Sequence, residues 1–227
     1  MVLIDVPHRE VTLKLVYYGP ALSGKTTNLQ ALHGHLGGRV GSELVTLDTM
    51  NDRTLFFDLL PIHLEAGRGT KINVKLFTVP GQVFHKATRK IVLQGVDGVA
   101  FVADSRVSET RSNNESWADL RANLKENGLR MGDVAKVIQF NKRDLPRVRT
   151  DAEIAAIASR GQDPVVSATA IEGVGVVETF LTLCQHSWRS LERRYGIEEK
   201  TGIAGASFME KVAEVVRIPY DPEAMNP

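Results

Sequence analysis

The sequence predicts one doubly wound α/β domain over residues 1–195, a mostly parallel sheet of about six strands with one antiparallel edge and helices on both faces. Two patterns along the chain predict it. Short β-rich apolar runs alternate with segments of helical periodicity, the order that builds parallel sheets through crossover helices. One pair of runs is instead joined by a Gly-rich turn, which marks an antiparallel hairpin. Composition agrees, with 43% hydrophobic and 24% charged residues, ordinary for a globular chain.

The elements follow in order. Residues 12–18 read as a strand that stops at Gly19-Pro20. A helix starts near Lys25, with Leu29, Leu32 and Leu36 on one face. Residues 55–62 and 72–79 are the hairpin strands, separated by turn chemistry at Ala66-Gly67-Arg68-Gly69. Residues 96–103 form a nearly continuous apolar run, as expected of a strand covered on both faces. Ser112 with Glu115 reads as a capping box opening a helix that carries Trp117, Leu120 and Leu124. A strand at 134–140 follows, then a second capping box, Thr150 with Glu153, for a helix reaching about Ser159. Val165-Val166 is a short buried strand. A long amphipathic helix spans 175–195, with Phe180, Cys184, Trp188 and Leu191 on its buried stripe. Residues 196–227 read as an appendage, a short helix over 208–216 among glycines and prolines, partly disordered.

Charge is nearly balanced, 28 Lys+Arg against 27 Asp+Glu, so no nucleic-acid partner is expected. The single cysteine, Cys184, suits a reducing compartment. The first residues lack the pattern of a secretory signal, the last residues carry no prenylation box, and no Gly follows Met1. The expectation is a cytoplasmic protein without a lipid anchor, monomeric on its own. The histidines, His33, His35, His63 and His85 among them, show no metal-ligand grouping, and Arg189, Arg193 and Arg194 suit a helix C-terminus.

Gly19-Pro20-Ala21-Leu22-Ser23-Gly24-Lys25-Thr26 matches G-x-x-x-x-G-K-[ST], placed between a strand and a helix. Glycines allow a turn tight enough for successive N–H groups to face an anion, and the helix presents its positive end to the same place. Lys25 is the point charge for the outer phosphates, and the Thr26 hydroxyl is a Mg²⁺ ligand. Thr27 continues the loop into the helix. This is a phosphate site.

Asn141-Lys142-Arg143-Asp144 follows a strand end and matches the N-K-x-D motif of GTPases. Asp144 can accept two hydrogen bonds from the N1–H and exocyclic amine of guanine, donors that adenine does not offer there. Lys142 can lay its stem over the base, and Asn141 can tie this loop to the phosphate loop. Ser167-Ala168 follows the next strand, where a backbone N–H can meet the guanine carbonyl. The ligand is therefore expected to be GTP or GDP with Mg²⁺.

Thr78-Val79-Pro80-Gly81-Gln82 ends the hairpin, where GTPases usually carry D-x-x-G. Gly81 is in place to meet the terminal phosphate, and Gln82 stands where a glutamine orients the attacking water. Thr78 replaces the acid, so another residue must complete the magnesium shell, Asp58 or Asp52. Between the first helix and the hairpin, Thr54 is the choice for capping Mg²⁺ and the terminal phosphate, with Thr49 and Thr46 in reserve. Arg53 beside it suits an arginine finger supplied in cis.

Tyr17-Tyr18-Gly19-Pro20, the phosphate loop running into Thr27-Asn28-Leu29, the run from Asn51 to Asp58, Thr78 to Phe84, and Gly95 to Ser105 together resemble the MglA-type bacterial Ras-like GTPases. The resemblance spans about residues 1–195, and the threonine at position 78 belongs to its pattern. It implies a slow GTP-hydrolysing switch that sets cell polarity or drives gliding motility, recruited to a cell pole through partners. It also implies a Roadblock-type homodimer as activating protein, Arg53 and Gln82 as catalytic residues, and a hairpin strand that slides in register between nucleotide states. Two other readings are weighed against it, a nucleotide-locked scaffold without useful hydrolysis and an adenine-specific P-loop enzyme.

Overall fold

The structure, a computed structural model, describes residues 3–5, 7–37, 43–47, 57–66, 69–81 and 86–219. Its sheet is built on β2 (Glu10–Tyr18), whose side chains alternate in burial and then become fully buried as the strand enters the core. β2 lies parallel to β5 (Thr70–Thr78) on one side and to β6 (Gly98–Asp104) on the other. β7 (Ala135–Asn141) and β8 (Val165–Ser167) extend the parallel sheet beyond β6. β4 (Phe57–Ala66) pairs antiparallel with β5, from Leu59 against Phe77 to Ala66 against Thr70. Two three-residue strands complete the described sheet, β1 (Leu3–Asp5) beside β2 and β3 (Val45–Leu47) beside β4. The path is β3-β4-β5-β2-β6-β7-β8, with β1 attached to β2, so the sheet has eight strands where the sequence pattern gives six. A three-residue strand carries too few alternations to register as a period.

Two apolar layers sandwich this sheet. On one face lie α1 (Lys25–Leu36) and α5 (Val176–Tyr195), packing Leu29, Leu32, Phe180 and Trp188 over Leu13, Leu15, Leu60 and Val74. On the other face the core draws on Val16, Val99, Phe101, Leu120, Leu124 and Ile154. It brings in α2 (Lys86–Val92), α3 (Thr110–Glu126) and α4 (Asp151–Ala158). The short α2 is not visible in the sequence pattern.

The Thr150–Glu153 capping box forms as the sequence suggests, the Thr150 hydroxyl accepting from the Glu153 N–H. The Ser112–Glu115 box does not. A 3₁₀ turn over Val107–Glu109 leads directly into α3 at Thr110, so Ser112 already lies inside the helix and Glu115 pairs with Arg111 at 2.7 Å. The tail forms α6 (Ile197–Thr201) and α7 (Gly205–Val215). α7 buries Phe208, Met209 and Val212 against the α1–α5 layer, with the Phe208 ring stacked on Trp188 at 4.2 Å between centroids. His35 near the end of α1 makes a 2.7 Å hydrogen bond to the Val216 carbonyl.

Candidate nucleotide site

Residues 19–24 turn from the end of β2 into α1 at the carboxyl edge of the parallel strands, where doubly wound sheets hold their ligands. Two glycines make the turn possible. Gly19 has φ 149° and Gly24 φ 101°, and a Cβ on either would lie 2.2 Å from a neighbour, the Val102 carbonyl oxygen and the Asn141 Nδ2 respectively. Leu22 at the apex also takes a positive φ and leaves its side chain exposed. α1 begins without a side-chain cap, so its first-turn N–H groups are available to an anion.

Lys25 is buried, and its Nζ donates to the Gly19 and Pro20 carbonyls at 3.1 and 2.7 Å. Burial, then the nearby Arg89 charge, pull its pKa down to about 8, against the opposing pull of Asp58. Phosphates would reverse that depression by supplying the missing negative charge. Ala21 and Thr26 are exposed at the loop, Ser23 is fully buried behind it, and Thr27 is half-buried.

Asn141, at the end of β7, bridges the two recognition loops. Its Nδ2 donates to the Ser23 carbonyl at 2.8 Å, while its Oδ1 accepts from the Ala170 N–H at 2.9 Å, just beyond Ser167-Ala168. Asp144 and Ser167 stand exposed at the rim, and Ala168 is buried with its N–H bonded to the Phe140 carbonyl at 2.8 Å. Lys142 adopts φ 66° and ion-pairs with buried Asp104 at 2.9 Å. Burial drives the Asp104 pKa up, but hydrogen bonds from Arg106 and Lys142 outweigh it and hold the carboxyl below its usual range. No motif in the sequence marks Asp104 as a site residue. Its only signal is its position at the end of an apolar strand run beside the N-K-x-D loop.

A second junction lies at the mouth of the hairpin. Thr26 Oγ1 donates to Asp58 Oδ2 at 2.7 Å, and Thr78 Oγ1 donates to the same oxygen at 2.9 Å while accepting the Asp58 N–H at 2.9 Å. Asp58 and Thr78 are both buried. Asp58, one of the two acids the sequence offers to replace a carboxylate at position 78, lies beside Thr26. Hydroxyl and carboxylate oxygens are the hard donor set that suits magnesium. Gly81 lies directly over the phosphate loop, a Cβ there falling 2.4 Å from Ala21 N and Cα. Asp52, Arg53, Thr54 and Gln82 lie outside the described residues, as does Thr49.

Fold and cradle together are those of a small GTPase domain. No protein-family profile matches the chain. A curated relative, the mutual gliding-motility protein MglA of Myxococcus xanthus (strain DK1622), is 47% identical over 179 residues, 79% of this chain and 92% of that protein. The chain belongs to the MglA family.

Proposed function

We propose that the chain binds GTP, hydrolyses it to GDP and phosphate, and uses the two states to select partners in bacterial cell polarity or gliding motility. The observation that carries the reading is Asn141, which fastens the Ser23 carbonyl of the phosphate loop to the loop after β8. A single side chain thereby holds the phosphate cradle and the base-reading residues at a fixed separation. In this reading, N–H groups between Gly19 and Thr26 and the Lys25 ammonium hold the phosphates. Asp144 accepts from the guanine edge, Lys142 covers the base, and the Ser167-Ala168 backbone meets its carbonyl. The motility role comes from the name of the relative, and a Roadblock-type homodimer as activator comes from the family resemblance. The protein acts in the cytoplasm, reaching a pole through such partners.

Thr26, Thr54 and Asp58 are the residues that would hold magnesium, Asp58 standing in for the acid missing at Thr78. Bound there, the ion supplies charge neutralisation on the phosphate oxygens. Gln82 is assigned to orient the attacking water, Arg53 to spread the charge that builds as the bond to the leaving phosphate breaks, and Gly81 to donate its N–H to the terminal phosphate. Residues 1–195 are the nucleotide-binding unit, and 196–227 are appended to it.

Binding of GDP, ADP and a GTP analogue, followed by single-turnover hydrolysis of GTP, tests the proposal. GDP should bind and ADP should not. Arg53→Ala and Gln82→Ala should each slow hydrolysis by roughly 10²-fold or more while nucleotide still binds. A chain that holds GTP for hours without cleaving it, with or without the two substitutions, would defeat the hydrolytic part of the proposal.

A further inference from the structure

Arg89 sits on α2, buried, and belongs to none of the recognition motifs. Its Nε donates to Asp119 Oδ2 on α3 at 2.8 Å. The same carboxylate oxygen accepts the Tyr18 hydroxyl, and Asn123 Nδ2 donates to that hydroxyl at 3.2 Å. Tyr18 is the last residue of β2, directly before Gly19 of the phosphate loop. On its other side, Arg89 Nη1 reaches the Pro80 carbonyl at 3.4 Å. One carboxylate on α3 thus ties the residue that enters the phosphate loop to the cation that reaches the Pro80-Gly81 peptide.

That peptide presses on the loop, where no side chain fits at Gly81 against the Ala21 backbone. Gly19, Pro20, Gly81, Arg89 and Asp119 together line a cleft of about 430 Å³ beside the phosphate loop. Arg89 is also near enough to Lys25 to help depress its pKa, second only to burial. A buried guanidinium needs its partners, since losing one leaves an uncompensated charge in a poorly solvated place.

We propose that Arg89, held by Asp119 and Tyr18, is a positioning residue that fixes the Pro80-Gly81 peptide so that the Gly81 N–H meets the terminal phosphate of a triphosphate. The inference rests on the nucleotide reading above. Its signature is a discrimination, because a diphosphate has no terminal group to meet Gly81. Loosening the clamp weakens triphosphate binding and leaves diphosphate binding alone. A residue that merely supported the fold would affect both.

The test measures affinity for GDP and for a non-hydrolysable GTP analogue in Arg89→Gln, Asp119→Asn and the milder Tyr18→Phe. Arg89→Gln and Asp119→Asn should lower analogue affinity about tenfold and change GDP affinity by less than about twofold. Tyr18→Phe should move the same ratio in the same direction by a smaller factor, and it keeps the test open if the larger changes unfold the chain. Arg89→Lys should recover part of the analogue affinity. Equal losses for both nucleotides in all variants, or no loss in any, would overturn the proposal. An unaltered chain that bound neither nucleotide would instead overturn the nucleotide reading on which it stands.

Discussion

Asp58 and Thr26 lie 32 positions apart in the chain, yet the threonine hydroxyl donates to the carboxylate at 2.7 Å. The sheet makes this contact by placing the start of β4 beside the start of α1, and Thr78 on β5 completes it from below. A carboxylate thus stands one strand over from Thr78, where the end of β5 carries none.

If Asp58 completes the magnesium shell, Asp58→Asn should speed GDP release about tenfold and raise the magnesium concentration needed to slow it. Thr78→Asp should also do harm, since it sets a second carboxylate against Asp58. Combining Thr78→Asp with Asp58→Thr should recover much of that loss. Nucleotide release followed across a magnesium titration checks all three, and a magnesium response unaltered in Asp58→Asn would remove Asp58 from the role.

Asp144 is exposed in the N-K-x-D loop, and the proposal has it accept from the guanine edge. Asp144→Asn replaces an acceptor by a donor there, so guanine nucleotides should bind at least about 100-fold more weakly. Xanthine nucleotides, which carry a carbonyl where guanine carries its amine, should bind better to the variant than to the parent. Competition between GDP and XDP against a fluorescent nucleotide checks this, and unchanged preference would place the base elsewhere.

The Lys25 ammonium, with its pKa drawn down to about 8 by burial and by Arg89, gives nucleotide binding a pH dependence. Below that pH the free site already carries its positive charge. Above it the lysine is neutral until phosphates arrive, so binding must take up a proton and weakens as pH rises. The lysine should have little effect on GDP affinity below about pH 7, and should make it fall by approaching tenfold per pH unit above about pH 8.5, before other groups titrate. Calorimetry in two buffers of different ionisation enthalpy should register more proton uptake at about pH 8.5 than at about pH 7.3, where most of the free lysine is already charged.

The tail should matter to stability. Phe208 is fully buried and stacked on Trp188, so Phe208→Ala should cost about 3–5 kcal/mol and lower the melting temperature by roughly 10 °C. Phe208→Leu should cost markedly less. Melting followed by circular dichroism checks both, and an unchanged midpoint would mean that α7 is not docked in solution.

Much of this was legible in the sequence because its signals are local. The phosphate loop, the N-K-x-D loop and the strands that deliver them are each set by a few consecutive residues, and the Thr150 cap forms between residues three apart. What escaped the pattern is non-local or brief. Asp104 gains its meaning only through Lys142, across the β6–β7 pairing. The contact of Asp58 with Thr26 needs the register of β4 against β5, and the Arg89–Asp119 pair joins two helices on one face of the sheet. Ser112 misled because a 3₁₀ turn supplies the start of α3 without a side-chain cap. In the tail, the spacing of Phe208, Met209, Val212 and Val216 is a helical stripe, and its glycine and proline surroundings mask how much core those residues bury.

The alternation along β4 carries a mechanical consequence. Leu60, Ile62, Leu64 and Ala66 face the core, and the residues between them face away. Displacing the strand by one position would turn this apolar row outward, whereas displacing it by two, about 7 Å, would drop each side chain into its neighbour's socket. Any advance of β4 would therefore have to come in steps of two residues, like a ratchet of fixed tooth, and each step would carry Asp58 clear of both threonines.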